Sequence, residues 1–204
     1  MAETRRRVSM LLCALCAMFV TACGPGAEPT AEFSGTIVKS PRAVDATELV
    51  GPDGTPFGLA SDLQVPLTLV FFGYTNCPDI CGQVMQTLAT TMTRLSEEDR
   101  ADVAVIFVTT DPARDTTDVV NEYVARYDPG FLGLTGDLAD IVTVGHSLGV
   151  SVDRGETLPS GGYDITHGTQ IHALEPDGSS SVFWSESVSQ SELATDIHTL
   201  LAED

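Results

Sequence analysis

The chain has 204 residues, of which 43% are hydrophobic and 19% are charged, a size and composition typical of one folded domain with a single core. This hydrophobic content excludes wholesale disorder. Ten basic residues stand against 29 acidic ones, and the formal net charge is -19. A surface of that sign cannot neutralise phosphates, so nucleic-acid binding is excluded as a function.

The first 22 residues have the order of features that is typical of an export signal. Three arginines at positions 5–7 are followed by an apolar stretch at 11–20 and by small residues before Cys23. The apolar stretch is too short to span a bilayer comfortably. Residues 20–23 resemble a bacterial lipobox, in which the chain is cut before the cysteine and the sulfur receives a diacylglycerol. We therefore expect a lipoprotein signal peptide at 1–22 and lipidation of Cys23; an uncleaved signal anchor and a soluble exported protein are the alternatives.

The segment after Cys23 is rich in glycine and proline, so residues 23–32 are predicted to form a lipid-anchored flexible tether before a domain at 33–204. This arrangement attaches the domain to the outer face of the cytoplasmic membrane. It also leaves Cys77 and Cys81 as the two unmodified thiols of an exported domain. Unpaired cysteines seldom persist in an oxidising compartment without a partner or a function, so this pair is a candidate functional site.

The start of the domain has the pattern of β-structure. Residues 33–38 and 46–50 are short segments with β-branched side chains, and 51–56 has the composition of a turn. We predict an N-terminal hairpin or meander here. Further on, residues 67–72 and 103–108 are uninterrupted apolar runs, which are typical of central strands that are covered on both faces.

Four segments place apolar residues three and four positions apart, which is the spacing of amphipathic helices. The predicted helices cover residues 78–95, 116–127, 137–148 and 189–201. Pro78 suits the first turn of the first helix. A short extended piece is expected at 131–134, between the second and third helices.

The last third of the chain predicts a loop followed by a hairpin. Residues 155–162 form a polar stretch with glycines, and the segments 170–174 and 181–184 flank a turn sequence at 175–178. Strands that alternate with helices and end in a hairpin and a helix predict an α/β fold of three layers with a mixed central sheet. The polar stretches are too short to hold a second domain.

Cys77 and Cys81 form a C-x-x-x-C pair at the point where a predicted strand gives way to a predicted helix. Unpaired N–H groups and the dipole at a helix start stabilise a thiolate, the form that binds metals and attacks disulfides. A spacing of four places the sulfurs one helical turn apart, near enough to share a soft metal ion or to form a disulfide. The alternative is a static structural disulfide, but so small a loop would add little stabilisation.

Two thiolates do not complete a typical metal site, so the four histidines are candidates for a third ligand. His146 and His198 fall on predicted helices, where we expect surface or half-buried side chains. His167 lies where a loop enters a strand, a position from which an imidazole can reach the first strand–helix turn. His172 is expected in mid-strand as a packing or surface residue, and it is the fallback ligand.

The set of two thiolates and one imidazole suits copper in either oxidation state, and the soft sulfur ligands favour Cu(I). Zinc is the alternative metal. A structural zinc site would normally have four protein ligands, whereas this sequence offers only three convincing ones.

Four segments, in this order, resemble motifs of the Sco/SenC copper chaperones of cytochrome c oxidase assembly. They are residues 72–81, 108–116, 131–136 and 163–167. The resemblance extends from about Phe33 to the end of the chain, and the ordered set is far more specific than one C-x-x-x-C pair. It implies a thioredoxin-like fold with an N-terminal hairpin, membrane attachment as a bacterial lipoprotein, and copper, as Cu(I) or Cu(II), bound by Cys77, Cys81 and His167.

The resemblance also implies partners. The family delivers copper to the dinuclear copper site of oxidase subunit II, or prepares that site by reducing its thiols, and a copper donor protein would act before it. The expected function is that of a membrane-anchored copper metallochaperone. The alternative is a thiol-disulfide oxidoreductase that uses Cys77 and Cys81 as a redox-active pair and has no use for His167. A peroxidase-like enzyme would need a threonine and an arginine around one cysteine, and this arrangement is not recognisable in the sequence.

Three further positions bear on the site that this resemblance implies. Asp111 matches a family aspartate near the metal, and it is either an additional oxygen ligand or, as we favour, a hydrogen-bond acceptor at a strand end. Gly82 stands where the family often has proline, which would loosen the first helical turn. Thr166 stands where the family usually has aspartate, which removes a negative charge and could alter metal affinity or ligand orientation.

Overall fold

The computed structural model describes residues 33–157 and 163–202. The predicted signal peptide, the predicted tether and Cys23 lie outside these ranges. Within the described residues, no helix has the length and hydropathy needed to cross a membrane. The described strands are β1 (Thr36–Ala43), β2 (Leu49–Val50), β3 (Pro56–Phe57), β4 (Leu67–Gly73), β5 (Val103–Thr109), β6 (Leu132–Leu134), β7 (Val152–Thr157), β8 (Tyr163–His167), β9 (Ile171–Leu174) and β10 (Ser179–Trp184). The described helices are α1 (Ile80–Arg94), α2 (Glu97–Ala101), α3 (Thr117–Ala125), α4 (Leu138–Leu148) and α5 (Gln190–Ala202).

Six of the strands form one sheet, in the order β1, β10, β9, β4, β5, β6. β4, β5 and β6 run parallel to one another, whereas β9, β10 and β1 are each antiparallel to their neighbours. The pairing of β4 with β5 is continuous from Leu67 beside Val103 to Gly73 beside Thr109. The predicted mixed central sheet is therefore confirmed.

Both faces of this sheet are covered, which accounts for the uninterrupted apolar runs in its middle strands. Every residue of β4 is buried. One core lies between one face and helices α1, α3 and α5, and it contains Phe71, Phe107 and Trp184. A second core lies between the other face and α4 with the β2–β3 hairpin, and it contains Phe72 and Leu134. The chain thus adopts the three-layer α/β arrangement that its sequence predicts.

The predicted N-terminal hairpin is present as β2 and β3, but β1 does not extend it into a meander. The predicted turn at 51–56 joins β2 to β3, which pair with Leu49 beside Phe57. β1 instead pairs with β10 at the edge of the large sheet, where Ile37 lies beside Val182. Its partner comes from the far end of the chain, and local turn composition carries no information about such a pairing.

The prediction of a loop at 155–162 is wrong for the first three of these residues. β7 continues to Thr157 and pairs with β8, with Val152 beside His167 and Asp153 beside Thr166. The reason is that polar residues and a glycine form this hairpin without a regular alternation of apolar side chains. That alternation is the signal by which a strand is recognised in a sequence.

The predicted late hairpin is confirmed, since β10 pairs with β9 and Phe183 lies beside His172. His172 is only 4% exposed, and its ring lies 5.7 Å from that of Phe183. Burial, reinforced by the charge of Arg42, lowers the pKa of His172 to about 4. The imidazole is therefore neutral at physiological pH and packs within the sheet, the role expected of a residue in mid-strand.

Candidate metal centre

Both cysteines lie where β4 leads into α1, Cys77 in the connecting residues 74–79, here called the cysteine loop, and Cys81 in the helix itself. The helix begins at Ile80, two residues after the predicted start, so Pro78 precedes it rather than opening its first turn. Cys77 consequently lies in the loop and is half-buried, while Cys81 lies in the first helical turn and is fully buried. The four-residue spacing does not place both cysteines on one helical face. Instead, N–H groups at the start of the helix face the Cys77 sulfur.

The two thiols differ in acidity. Burial alone would raise the pKa of Cys77, but the N–H groups of Cys81, Asp79 and Ile80 and the thiol of Cys81 donate hydrogen bonds to its sulfur, and the net effect lowers its pKa. Burial raises the pKa of Cys81 strongly, and neighbouring Cys77 adds to this effect despite a hydrogen bond from the N–H of Tyr74. In the metal-free dithiol, Cys77 is therefore the more readily ionised thiol.

His167 reaches the cysteines because of the sheet topology. It is the last residue of β8, not a residue at the entry to a strand as expected, and positions 168–170 link it to β9. β9 runs antiparallel to β4, so Ile171 lies beside Phe71, close to the end of β4 that leads into the cysteine loop. As a result, the Nε2 atom of His167 lies 3.5 Å from the sulfur of Cys81.

One hydrogen bond decides which ring nitrogen of His167 is available to a metal ion. The Nδ1 atom lies 2.9 Å from the carbonyl oxygen of Gly168. A carbonyl oxygen can only accept, so Nδ1 carries the proton and Nε2 presents its lone pair toward the sulfur. The ring also packs edge-on against Tyr74 and Phe71, with centroid distances of 5.8 and 6.2 Å. These contacts hold the imidazole in an orientation suited to a ligand.

The ligand atoms of Cys77, Cys81 and His167 all lie within 4.8 Å of one another, and no other group of three or more such residues does so within the described ranges. Metal–sulfur and metal–nitrogen bonds are about 2.0–2.3 Å long, so small side-chain movements would bring all three atoms onto one ion. Cys81 is buried, whereas Cys77 and His167 are half-buried. An ion held here would keep one side open, unlike an ion in a closed structural zinc site.

The other candidate ligands lie elsewhere. His172 is inside the sheet, and both His146 on α4 and His198 on α5 are exposed. Asp111 is 2% exposed and accepts a hydrogen bond from the side chain of Arg114. It does not belong to the three-residue donor group found among the described residues. Asp111 thus acts as a hydrogen-bond acceptor at the end of β5, the role favoured from the sequence.

Two positions that depart from the family pattern lie beside the site. A Cβ atom at Gly82 would lie 3.4 Å from the hydroxyl of Tyr127, an ordinary van der Waals contact, so the packing here does not require a glycine. Thr166 is exposed and projects from the face of β8 opposite to that of His167, because adjacent residues of a strand alternate. Asp153 lies beside Thr166 on β7, so a carboxylate is present on that outer face. The threonine therefore changes the surface of the hairpin rather than the donor group.

Asp115 has no role that the sequence indicates, yet it lies beside the cysteine loop in the structure. Its carboxylate is fully buried and accepts hydrogen bonds from the N–H and hydroxyl of Thr75 and from the hydroxyl of Thr109, at 2.9, 2.6 and 2.6 Å. The contact of the Tyr74 ring with His167 is likewise not indicated by the sequence. A charged residue soon after a buried strand is a usable signal for Asp115, but its partners belong to other segments of the chain.

We expect iodoacetamide to alkylate Cys77 at least about tenfold faster than Cys81, because the thiolate is the reacting form and Cys77 is both more acidic and more exposed. Since its pKa is lowered, the rate at Cys77 should reach a plateau at a lower pH than the rate of a free cysteine, while the rate at Cys81 continues to rise. Mass spectrometry of Cys81→Ser and Cys77→Ser over a pH series measures each thiol alone. Urea-unfolded samples are the control, and equal rates in the folded variants would contradict the assignment.

Comparison with known proteins agrees with this geometry. The SCO1/SenC family model matches residues 41–202. A protein of Stutzerimonas stutzeri that is named for copper binding is 34% identical over 139 residues, covering 68% of this chain and 67% of that protein. Mitochondrial protein SCO2 of Saccharomyces cerevisiae is 30% identical over 145 residues, covering 67% of this chain. The match covers 48% of that protein, so the chain spans about half the length of this relative.

A solved structure gives the same result. Copper-bound ScoI of Arabidopsis thaliana superimposes with a TM-score of 0.72 at 27% sequence identity, over 79% of this chain and 99% of that chain. The predicted thioredoxin-like α/β fold is thereby confirmed. Since the family model matches far more than half of the chain, the protein belongs to the SCO1/SenC family.

Proposed function

We propose that this protein is a copper metallochaperone, which binds one copper ion through Cys77, Cys81 and His167 and passes it to another protein. The observation that carries the proposal is the convergence of two sulfurs and the lone pair of one imidazole within 4.8 Å. The copper bound in the structure of the Arabidopsis thaliana relative supports the choice of metal.

Copper suits this donor set in both oxidation states. Thiolates are soft ligands that favour Cu(I), and imidazole is a common ligand of copper. A structural zinc site would complete a tetrahedron with a fourth protein ligand, whereas the donor group found in the described chain has three members. The chemistry of the ligands therefore favours copper over zinc.

The exposure of the donors suits an ion that is cargo rather than a permanent part of the protein. Cys77 precedes the helix and His167 ends a strand, and both are half-buried. A recipient's ligands can approach from this open side while buried Cys81 still holds the ion. Transfer can then proceed by exchange of one ligand at a time.

A second function, thiol-disulfide exchange, is supported by the contrast between the two thiols. Cys77 has the lowered pKa and the exposure of an attacking thiol, and buried Cys81 beside it can resolve the mixed disulfide. In this reaction the two thiols give two electrons and two protons to a target disulfide; a Cys77–Cys81 disulfide forms and the target dithiol is released. The exchange does not need His167, so the position of this residue in the donor group favours copper transfer as the primary function.

The proposed recipient is the dinuclear copper site of cytochrome c oxidase subunit II, with a separate protein as the copper donor. A further solved relative is described as a member of the Sco family of cytochrome c oxidase assembly proteins, which supports a role in the assembly of that oxidase. Thiol reduction would act on the cysteines of the same recipient. Copper delivery and reduction are then two steps in the assembly of one site.

The proposed location is the outer face of the cytoplasmic membrane, with the chain held there by lipid on Cys23. The support for this proposal is the order of charged, apolar and small residues in positions 1–22, followed directly by the cysteine. A tether at 23–32 would allow the domain to reach a membrane-bound oxidase from its own anchor.

Copper titration tests the ligand set. The reduced protein should bind one Cu(I) per chain, and the protein with a Cys77–Cys81 disulfide should bind none at this site, because the thiolates are the ligands. His167→Ala should weaken binding by at least about tenfold, since even groups that only support a ligand are worth about 10- to 100-fold in metal affinity. It should also alter the thiolate-to-Cu(II) absorption. Competition with a chromophoric Cu(I) chelator measures the affinity.

The matched control for this titration is His172→Leu, which removes an imidazole from the sheet and leaves the dithiol and His167 in place. It should bind copper like the wild type. Wild-type affinity in His167→Ala together with a loss in His172→Leu would move the third ligand to position 172. An absence of effect in both variants would favour the oxidoreductase.

Loading of the recipient separates copper delivery from thiol reduction. The wild type loaded with Cu(I) should transfer copper to the reduced, metal-free copper domain of subunit II, measured as the copper bound to that domain after the two proteins are separated. His167→Ala should fail to load this domain, yet should still reduce its disulfide when it is oxidised, because Cys77 and Cys81 are intact. Cys77→Ser should fail in both assays. Loading by His167→Ala at the wild-type rate would contradict copper delivery through the three-residue site.

The anchor is tested by Cys23→Ser, which should release the protein into the soluble exported fraction or stall its processing, because the sulfur is the site of lipidation. Cys16→Ser, within the apolar stretch of the signal, is the control and should leave membrane retention unchanged. Cell fractionation and the mass of the mature chain are the measurements. Normal cleavage of Cys23→Ser with full membrane retention would rule out the lipid anchor.

A further inference from the structure

A buried carboxylate connects the cysteine loop to the segment that follows β5. Asp115 is fully buried, and its Oδ2 atom accepts hydrogen bonds from the N–H of Thr75 and the hydroxyl of Thr109, at 2.9 and 2.6 Å. Its Oδ1 atom accepts a third, from the hydroxyl of Thr75, at 2.6 Å. The backbone carbonyl of Asp115 accepts from the hydroxyl of Thr135 at 2.9 Å. Asp115 therefore joins three separate segments of the chain.

On one side, the carboxylate is tied to the ends of the two central strands. Thr109 is the last residue of β5 and lies beside Gly73, the last residue of β4. The hydroxyl of Thr109 also accepts a hydrogen bond from the N–H of Asp111 at 3.0 Å, and the N–H of Thr110 donates to the carbonyl of Gly73 at 2.6 Å. The position of Asp115 is thus set by the buried sheet.

On the other side, the carboxylate holds the turn that places the cysteines. The N–H of Cys77 donates to the carbonyl of Tyr74 at 3.2 Å, which closes the turn around Thr75. The N–H of Tyr74 donates to the sulfur of Cys81, and its ring lies edge-on against His167. A displacement of Thr75 would therefore move groups that contact all three residues of the donor group.

We propose that Asp115 is a positioning residue for the metal centre: its carboxylate holds Thr75 and, through Thr75, sets the spacing of the two sulfurs and the imidazole nitrogen. Asp115 is not a ligand itself, because it is outside the donor group that the described residues form. For copper binding the inference rests on the proposed function. The effect expected on the metal-free dithiol does not rest on it. The same hydrogen bonds hold the two thiols in their reduced arrangement, so losing these bonds favours the disulfide.

The test compares Asp115→Ala with Asp196→Ala. Asp196 is a second buried carboxylate with three hydrogen bonds, from the N–H groups of Ser34 and Gly35 and from the indole of Trp184, at 2.9, 2.9 and 2.8 Å. It ties α5 to β10 and to the start of the described chain, and not to the cysteine loop. The two variants lose comparable bonds, so the difference between them reports what Asp115 does at the site.

Asp115→Ala should weaken Cu(I) binding by about 10- to 100-fold, the range for groups that orient a ligand. In the metal-free protein it should shift the equilibrium with glutathione disulfide toward the Cys77–Cys81 disulfide by about two- to tenfold, the factor that one hydrogen bond is worth. In that reaction the two protein thiols are oxidised and two molecules of reduced glutathione are released. Asp196→Ala should lower the melting temperature but leave the copper affinity and the disulfide equilibrium at their wild-type values.

Asp115→Asn should restore both values most of the way. The amide oxygen can accept from the N–H of Thr75, and the amide nitrogen can donate to the hydroxyl of Thr75, which rotates to accept. Restoration would show that the hydrogen-bonded position matters rather than the charge. Values of Asp115→Asn that match those of Asp115→Ala would overturn the positional account.

Wild-type copper affinity and a wild-type disulfide equilibrium in Asp115→Ala would also overturn the inference, even if the melting temperature falls. Should Asp115→Ala fail to fold, Thr75→Val decides the question, since it removes one of the three bonds and keeps the carboxylate. Both readouts should then move in the same direction by a smaller factor, and unchanged values would reject the inference. A wild type that binds no Cu(I), while Asp115→Ala still shifts the disulfide equilibrium, would reject the proposed copper function and support the positioning role.

Discussion

The antiparallel pairing of β9 with β4 is the contact on which the metal centre depends. β4 ends at Gly73 and leads into the cysteine loop, while β9 begins at Ile171, a short link after His167. Because the strands run in opposite directions, the end of one lies near the start of the other. Cys81 and His167 are 86 residues apart in the chain, yet the Cys81 sulfur and the His167 Nε2 atom therefore lie 3.5 Å apart. The parallel pairing of β4 with β5 brings the segment with Asp115 to the same edge of the sheet.

The central strands and the longer helices can be predicted from the sequence because burial imposes a pattern on it. β4 and β5 are covered on both faces and are apolar almost throughout, and the longer helices repeat apolar residues on one face. The partner of β1 and the β7–β8 hairpin cannot be predicted in this way. β1 is a largely exposed edge strand whose partner lies at the far end of the chain, and β7 and β8 are rich in polar residues.

The residues of the candidate site can be named from the sequence, but their environment cannot. The C-x-x-x-C spacing identifies the two cysteines, and the resemblance to a family indicates His167. The start of α1 at Ile80 decides that Cys77 lies before the helix, where its N–H groups lower the pKa of that thiol, and a shift of two residues is beyond what composition can resolve. The role of Asp115 likewise cannot be predicted from the sequence, because the groups that donate hydrogen bonds to its carboxylate come from other segments of the chain.

The hydrogen bond from Nδ1 of His167 to the carbonyl of Gly168 makes this ring a ligand with a single usable position. It joins adjacent residues, so movement of more distant loops does not remove it. With Nδ1 already protonated, an incoming proton and a metal ion compete for one lone pair, on Nε2. No second nitrogen can take over when that atom is protonated. The doubly protonated and metal-bound states of the imidazole are thus mutually exclusive, because the added proton and the metal ion both need the Nε2 atom.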